Sequence, residues 1–240
     1  MTLIAFHGDQ AVKEKYLNRV FAHAAADEII HGKYWEKGKG CAVGCTIHSG
    51  THSKYETELG VPQMLARLED RLFEGMANGN SKEFPGRFLE AIPVGADLSR
   101  VGWQFLHWLL SEELASRDGP RVAKEIKACA DVLVPLTKGE PCDRAAADLA
   151  RRAVFEARNK ILWPYAAAYA AAAAATAAAD AADGAAAYAA DAAADAAADA
   201  AAAAAADGRK SYHRMAEKLL ELLAQAPTPV VTPYFARSAA

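Results

Sequence analysis

Several features that mark specialised protein classes are scarce in this 240-residue sequence. Cysteine occurs four times, as Cys41, Cys45, Cys129 and Cys142, too few to staple a chain of this length and so not a disulfide scaffold. Met1 to Gly8 is short and uncharged and Asp9 follows at once, which is not the pattern of a secretory signal; a reducing cytoplasm is the expected location. Nor is there a basic block or stripe to neutralise phosphates, so nucleic acid is not an expected partner. The longest uncharged stretch, Ile161 to Ala179, reaches the 19 residues of a membrane span. It contains Pro164 and is mostly alanine, which drives insertion weakly, and no membrane partner is expected. Strand-rich stretches are missing too, which leaves helices as the building material.

What remains is a soluble globular composition, 52% hydrophobic and 24% charged, with one anomaly. Residues 166–206 hold 32 alanines among 41 positions and five aspartates without a base; the remainder carries 27 basic and 25 acidic groups. Alanine is the best helix former but contributes little apolar area. On a helical wheel every side chain in the tract larger than alanine falls on one half. The other half presents methyl groups that permit close helix contact, while the Asp side is expected to be solvated. One unbroken helix from Tyr165 to Ala206 would be about 63 Å long and would overhang a body of roughly 40 Å. Asp183-Gly184 offers a break into an alanine hairpin, and Asp207-Gly208 a second turn, although the shared wheel phase across Gly184 favours continuity.

The expected fold is an all-α array forming one domain over 1–240. It divides into a body (1–137), an alanine-rich helical segment (143–226) and a tail (227–240). Asp9 can cap a first helix from Gln10 to His31, with Gly32 as its stop. Glycines at 32, 38, 40, 44, 50 and 60 then predict a long glycine-rich loop over 32–60, of a length usually tied to function. Pro62 opens a helix with Leu65, Leu68 and Leu72 as its buried stripe; Phe84, Phe88 and Ile92 mark another. The run Trp103 to Leu110 reads as a central helix. Further helices follow Pro120, with Val122, Ile126, Cys129 and Leu133 on one face, and Asp143, with Leu149, Val154, Ile161 and Leu162. A last one carries Met215, Leu219, Leu222 and Leu223.

The sharpest chemical signal is Cys41-Ala-Val-Gly-Cys45-Thr-Ile-His48-Ser-Gly-Thr-His52. Cys41, Cys45, His48 and His52 have the number and softness for tetrahedral zinc, in a spacing tighter than that of a zinc finger. The same residues also fit a thiolate nucleophile with a histidine base, or well-packed small apolar groups. Arg19, His23, Asp27 and His31, four residues apart, would share one face of the first helix, so that Asp27 and His31 approach the cysteines; an alternating-charge solvated face has the same spacing. Tyr34 and Trp35, followed by Lys37-Gly38-Lys39-Gly40, look like ligand or partner anchors beside amides that bind anions, without the strand and helix of a phosphate loop. Glu69, Asp70 and Glu74 can hold a cation or form the solvated face of a core helix.

The run Gly32 to Trp35, Gly40 through His48, Tyr55-Glu56, Glu58 to Gly60, Leu68 to Asp70 and Phe73 to Gly75, with the alanine-rich C-terminal half, resembles uncharacterised alanine-rich helical proteins of bacteria and their phages. The resemblance implies no activity for particular residues; it implies a phage or host accessory role in which small helical proteins act by binding. The leading expectation is thus a non-enzymatic binding protein for a protein partner or small ligand, acting through residues 31–58 with Tyr34, Trp35, His31 and Asp27. The alternatives are a metal- or thiol-dependent enzyme at Cys41, Cys45, His48 and His52, and a structural protein that assembles, for instance as a homo-oligomer, through its alanine faces.

Overall fold

A computed structural model of the chain describes residues 3–76, 78–115, 123–161, 165–203 and 208–229. The architecture is an array of helices with one two-stranded antiparallel sheet, and no helix among the described residues is long and apolar enough to cross a membrane. Helix α1 (Gln10–Ala25) starts where the Asp9 side chain accepts the Ala11 N–H at 2.8 Å. It stops six residues short of His31. Asp27 adopts a left-handed conformation (φ 56°) and the Glu28 N–H turns back to the His23 carbonyl at 2.9 Å, a capping arrangement that ends a helix and that Asp tolerates better than most residues. The chain leaves in an extended direction, with Ile29 bridged in parallel to Gly40. Arg19, His23, Asp27 and His31 therefore do not share a helix face.

Residues 32–60 are not an irregular loop. They contain β1 (Trp35–Glu36) and β2 (Lys39–Gly40), joined by Lys37-Gly38, both with positive φ, as a tight hairpin turn requires. Two short helices follow, α2 (Ala42–Ile47), buried along its whole length, and α3 (Lys54–Leu59). Next comes α4 (Gln63–Gly75), in which Leu65, Leu68 and Leu72 are fully buried at the spacing of a core face. After α5 (Asn78–Ser81) and α6 (Phe84–Ala91), α7 (Val101–Trp108) runs into a wider π-helical turn over Leu109–Leu114. Ile126, Cys129 and Leu133 are the buried face of α8 (Ala123–Thr137); Pro120 and Val122 lie outside the described residues.

Helix α9 (Arg144–Ile161) buries Ala147, Ala150, Val154 and Ala157, whereas Leu149 is 67% exposed and is no part of that face. Leu162 lies outside the described residues. The alanine tract forms α10 (Tyr165–Ala182) and α11 (Ala186–Ala203), packed against each other. At the break Gly184 takes φ 72° while the Ala185 N–H reaches back to the Asp180 carbonyl at 2.8 Å, a glycine helix stop. Helix α10 also packs on α8 and α9, and α11 on α4, so the buried alanine faces are covered by the chain's own helices. The aspartate side is not merely solvated: Asp191 pairs with Arg67 and Asp195 with Arg71, both from α4, and Asp183 pairs with Arg144. The final helix, α12 (Gly208–Ala224), buries Met215, Leu219 and Leu223 and anchors through Ser211 and Arg214 to the buried Glu113 carboxylate, each at 2.9 Å. Asp207 and residues 230–240 lie outside the described residues.

Because Ala193 is fully buried between close-packed helices, Ala193→Leu overfills a space sized for a methyl group and should cost about 1–3 kcal/mol in urea denaturation. Ala182→Leu, on the exposed end of α10, should stay within about 0.5 kcal/mol of the parent.

Candidate functional site

Three glycines bring the 34–50 segment together. A Cβ on Gly44 would lie 1.4 Å from the Tyr34 carbonyl oxygen, one on Gly40 2.1 Å from it, and one on Gly50 2.9 Å from the Tyr34 Cβ and Cγ. Only hydrogen fits at these places, so the Tyr34 backbone nests between Gly40 and the first turn of α2. The Cys41 N–H donates to the Lys33 carbonyl at 2.7 Å in the same fold-back. Cys41 thereby sits at the start of α2 facing α4, while Cys45, one turn later, points inward to the Gly40 carbonyl at 3.3 Å.

Cys41, Cys45, His48 and His52 do not converge on one point. Among the described residues, the only group of three or more ligand atoms all within 4.8 Å of one another is Cys41, Asp70 and Glu74. Asp70 and Glu74 are one turn apart on α4 and so project on one side toward Cys41. His52, 2% exposed at its side chain, is 3.3 Å from Asp70 Oδ2 through Nε2, and the Gly32 N–H donates to both oxygens of Glu74 at 3.0 Å. Asp70 Oδ1 is screened from solvent and meets no nitrogen or hydroxyl donor. Glu69, also read as part of an acidic surface group, is instead fully buried and accepts from the Tyr55 hydroxyl at 2.7 Å. Burial holds its carboxyl well above the usual range, with Asp70 acting in the same direction.

Both thiols in this region are kept protonated. Burial first, and then the Asp70 carboxylate, pushes Cys41 far above the ordinary thiol value; burial pushes Cys45 up to about 12, with Glu28 adding to the effect. No histidine is bonded to either sulfur, whose contacts run to backbone carbonyls of Tyr34, Glu28 and Gly40 and, for Cys41, to the Asp70 carboxylate as well. A thiolate nucleophile with His48 or His52 as base therefore has neither the ionisation nor the geometry it needs.

His48 belongs to a second cluster. Its Nε2 lies 2.9 Å from Nε2 of His23, whose Nδ1 is 2.6 Å from Glu28. A carboxylate can only accept, so His23 carries a proton on Nδ1, and its Nε2 shares one hydrogen bond with Nε2 of His48. Ring centroids 5.1 Å apart, with nitrogens at 2.9 Å, place the two rings almost end to end, an arrangement suited to a shared proton. Trp35 stacks on His48 at 4.2 Å and 12°, so it is spent inside this cluster and does not stand free as an anchor. His48 has its pKa lowered by partial burial, then by the Arg19 guanidinium and by His23.

The remaining expected site residues are scattered. Asp27, exposed in the turn after α1, is paired with Lys82. His31 stacks on Phe73 at 4.6 Å and lies 2.8 Å from Ser81 Oγ and 3.5 Å from Glu74. Glu74, His31 and Ser81 thus line up as acid, base and hydroxyl, but Ser81 is fully buried, and no substrate carbonyl can reach its oxygen. Tyr34, 47% exposed, borders a cleft of about 490 Å³. One wall is Asp70, Glu74, Arg67 and Arg71 of α4; the other is Asp191 and Asp195 of α11, with Lys33 at the edge. Arg67 Nε is 2.7 Å from Asp191 as an ion pair without a hydrogen bond, and Arg71 is 3.5 Å from Asp195.

No known protein family matches this sequence, and no curated protein or solved structure is significantly similar to it. The geometry alone bears on function. Glu28, Arg67, Arg71 and Ser81 went unread in the sequence. Arg67 and Arg71 had a usable signal, since their four-residue spacing repeats that of Asp191 and Asp195.

Two outcomes test this arrangement. Gly44→Ala forces a methyl group into the Tyr34 backbone and should cost about 3 kcal/mol or more in urea denaturation. Gly38→Ala, at φ 84° in open space, should cost only about 1 kcal/mol. Secondly, an NMR titration should find His48 below 6.5, its ordinary value, with Arg19→Ala moving it upward. On acidification the unfolded chain takes up this proton before the native one. The His48 contribution to stability is therefore present above pH 6.5 and lost as the pH falls toward the native value. A His48 midpoint at or above 6.5 would contradict the packing described.

Proposed function

We propose that the protein is a non-enzymatic binding protein that takes a small polar ligand into the cleft between residues 32–34, α4 and α11. The supporting observation is the cleft itself. Its volume of about 490 Å³ is that of a small-molecule site, and its lining carries both signs of charge, with Arg71, Asp70 and Glu74 on α4, Asp195 on α11 and Lys33 at the edge. That lining favours a charged or zwitterionic ligand over an apolar one. A small ligand is favoured over a protein partner because Trp35, the largest side chain available as an interface anchor, is engaged with His48, which leaves Tyr34 as the exposed aromatic of the segment. Binding is favoured over catalysis because the cysteines are protonated and Ser81 is enclosed. A phage or host accessory role, as the alanine-rich resemblance implies, is compatible with such a protein.

The test is an amide NMR titration of the whole chain with three probes: glutamate as a zwitterion, succinate as a dicarboxylate and putrescine as a diamine. At least one, at millimolar concentration, should shift the amides of Gly32 to Tyr34, Arg71 and Ala194, and Arg71→Ala should weaken it about tenfold, the loss of one charged contact. If no probe moves these amides, or if the shifts centre elsewhere, the cleft is not a ligand site.

A further inference from the structure

We propose that Cys41, Asp70 and Glu74 hold one divalent transition-metal ion of the zinc class on the α4 side of the cleft. This rests on the cleft being a ligand site and names its first ligand. One sulfur and two carboxylates have their donor atoms within 4.8 Å of one another. An ion with zinc-like bonds of about 2.0–2.3 Å places tetrahedral neighbours roughly 3.3–3.7 Å apart. The remaining approach falls to Glu74, the more exposed of the two carboxylates at 31% against 14% for Asp70.

An independent observation points the same way. Asp70 Oδ1 is shut off from solvent and meets no nitrogen or hydroxyl donor; what lies beside the carboxylate is the Cys41 thiol, a weak donor, whose proton a cation bridging the two would replace. Asp70 Oδ2 is already engaged by His52, and Glu74 by the Gly32 N–H. Carboxylates that ligate metals are oriented by such outer contacts. His52 is therefore a positioning residue here, not a ligand. The nearby arginines do not neutralise the cluster, since Arg67 and Arg71 face Asp191 and Asp195 across the cleft. The polar groups otherwise nearest the two carboxylates are the rings of His31, 3.5 Å from Glu74, and His52, 3.3 Å from Asp70.

Metal binding would release the Cys41 thiol proton to water, and the thiolate so formed selects zinc or cobalt over calcium or magnesium, which prefer oxygen alone. Three protein donors leave a fourth position for water or for a ligand in the cleft. The assignment differs from the one the Cys-x3-Cys-x2-His-x3-His spacing favours, because it excludes Cys45 and His48.

Co²⁺ added to the untagged full-length protein reads the site directly, since a cobalt–thiolate bond absorbs in the near ultraviolet. One equivalent should produce the band and Zn²⁺ should displace it. Cys41→Ser should abolish it, Glu74→Gln should weaken Zn²⁺ binding at least tenfold, and Cys45→Ala should leave affinity within twofold. Circular dichroism checks each fold, and Glu74→Gln, at a partly exposed position, keeps the test decisive if a cysteine variant unfolds. Absence of a band with micromolar Co²⁺, binding unchanged in Glu74→Gln, or binding lost in a folded Cys45→Ala would each overturn the assignment. Repeating the organic-probe titration in chelator separates the two ideas: amide shifts without metal binding leave the cleft reading standing and remove the metal.

Discussion

Helix α4 has to satisfy three neighbours at once, and the rest of the structure is arranged around how it does so. Leu65, Leu68 and Leu72 fill the core, Asp70 and Glu74 face Cys41 and the 31–34 segment, and Arg67 and Arg71 face α11. Each set repeats at three or four residues, so each forms a line along the helix, and the lines sit side by side around its circumference. Rotating α4 by one residue would put a charge in the core and a leucine in the cleft. The hydrophobic stripe thus fixes, without any further interaction, which way the four charged residues point.

What α4 faces on the other side is fixed by a steric constraint. The Tyr34 carbonyl occupies space that any side chain at Gly40 or Gly44 would fill. The contact closes residues 28–48 into a unit with its own small sheet and a buried helix, so a segment rich in glycine is ordered here by tight backbone packing. Cys41 emerges from that unit at the one place where it meets α4. The left-handed residues Asp27, Lys37 and His48 mark the turns that make so short a path close on itself. Each of these costs about 1–2 kcal/mol as a non-glycine residue, which the surrounding packing must offset.

The regular elements with a strong period were legible in the sequence. The stripe of α4, the Phe84 and Phe88 side of α6 and the Ile126, Cys129 and Leu133 face of α8 are all buried where their spacing placed them. Periodicity reports burial, and burial follows it. The segment 28–60 was not legible for the same reason, because its order comes from glycine contacts and hairpin geometry that leave no period. The end of α1 was misplaced because an aspartate, not a glycine, supplies the left-handed stop. The Cys/His run does not stay together in space, because neighbours in sequence are carried apart by the local fold. A short helix between Cys41 and His48 carries Cys45 inward and sends His48 to His23, while Cys41 finds its neighbours nearly thirty residues on, in Asp70 and Glu74.

The alanine tract enters this picture as a wall. Parallel repeats of four, Arg67 and Arg71 against Asp191 and Asp195, show that α4 and α11 run side by side in the same direction. These pairs are half-exposed, and such pairs contribute about 0–1 kcal/mol, so they set register and do not hold the helices together. What holds α11 is packing, because Ala189, Ala190, Ala193, Ala196, Ala197 and Ala200 are all buried. Each methyl group brings little area, and the gain per residue comes from the short distance that alanine permits. A larger residue on that face would push α11 away from α4 and widen the cleft. The composition that looked like a bare helix-propensity fact therefore also sets the distance between the two walls of the candidate site.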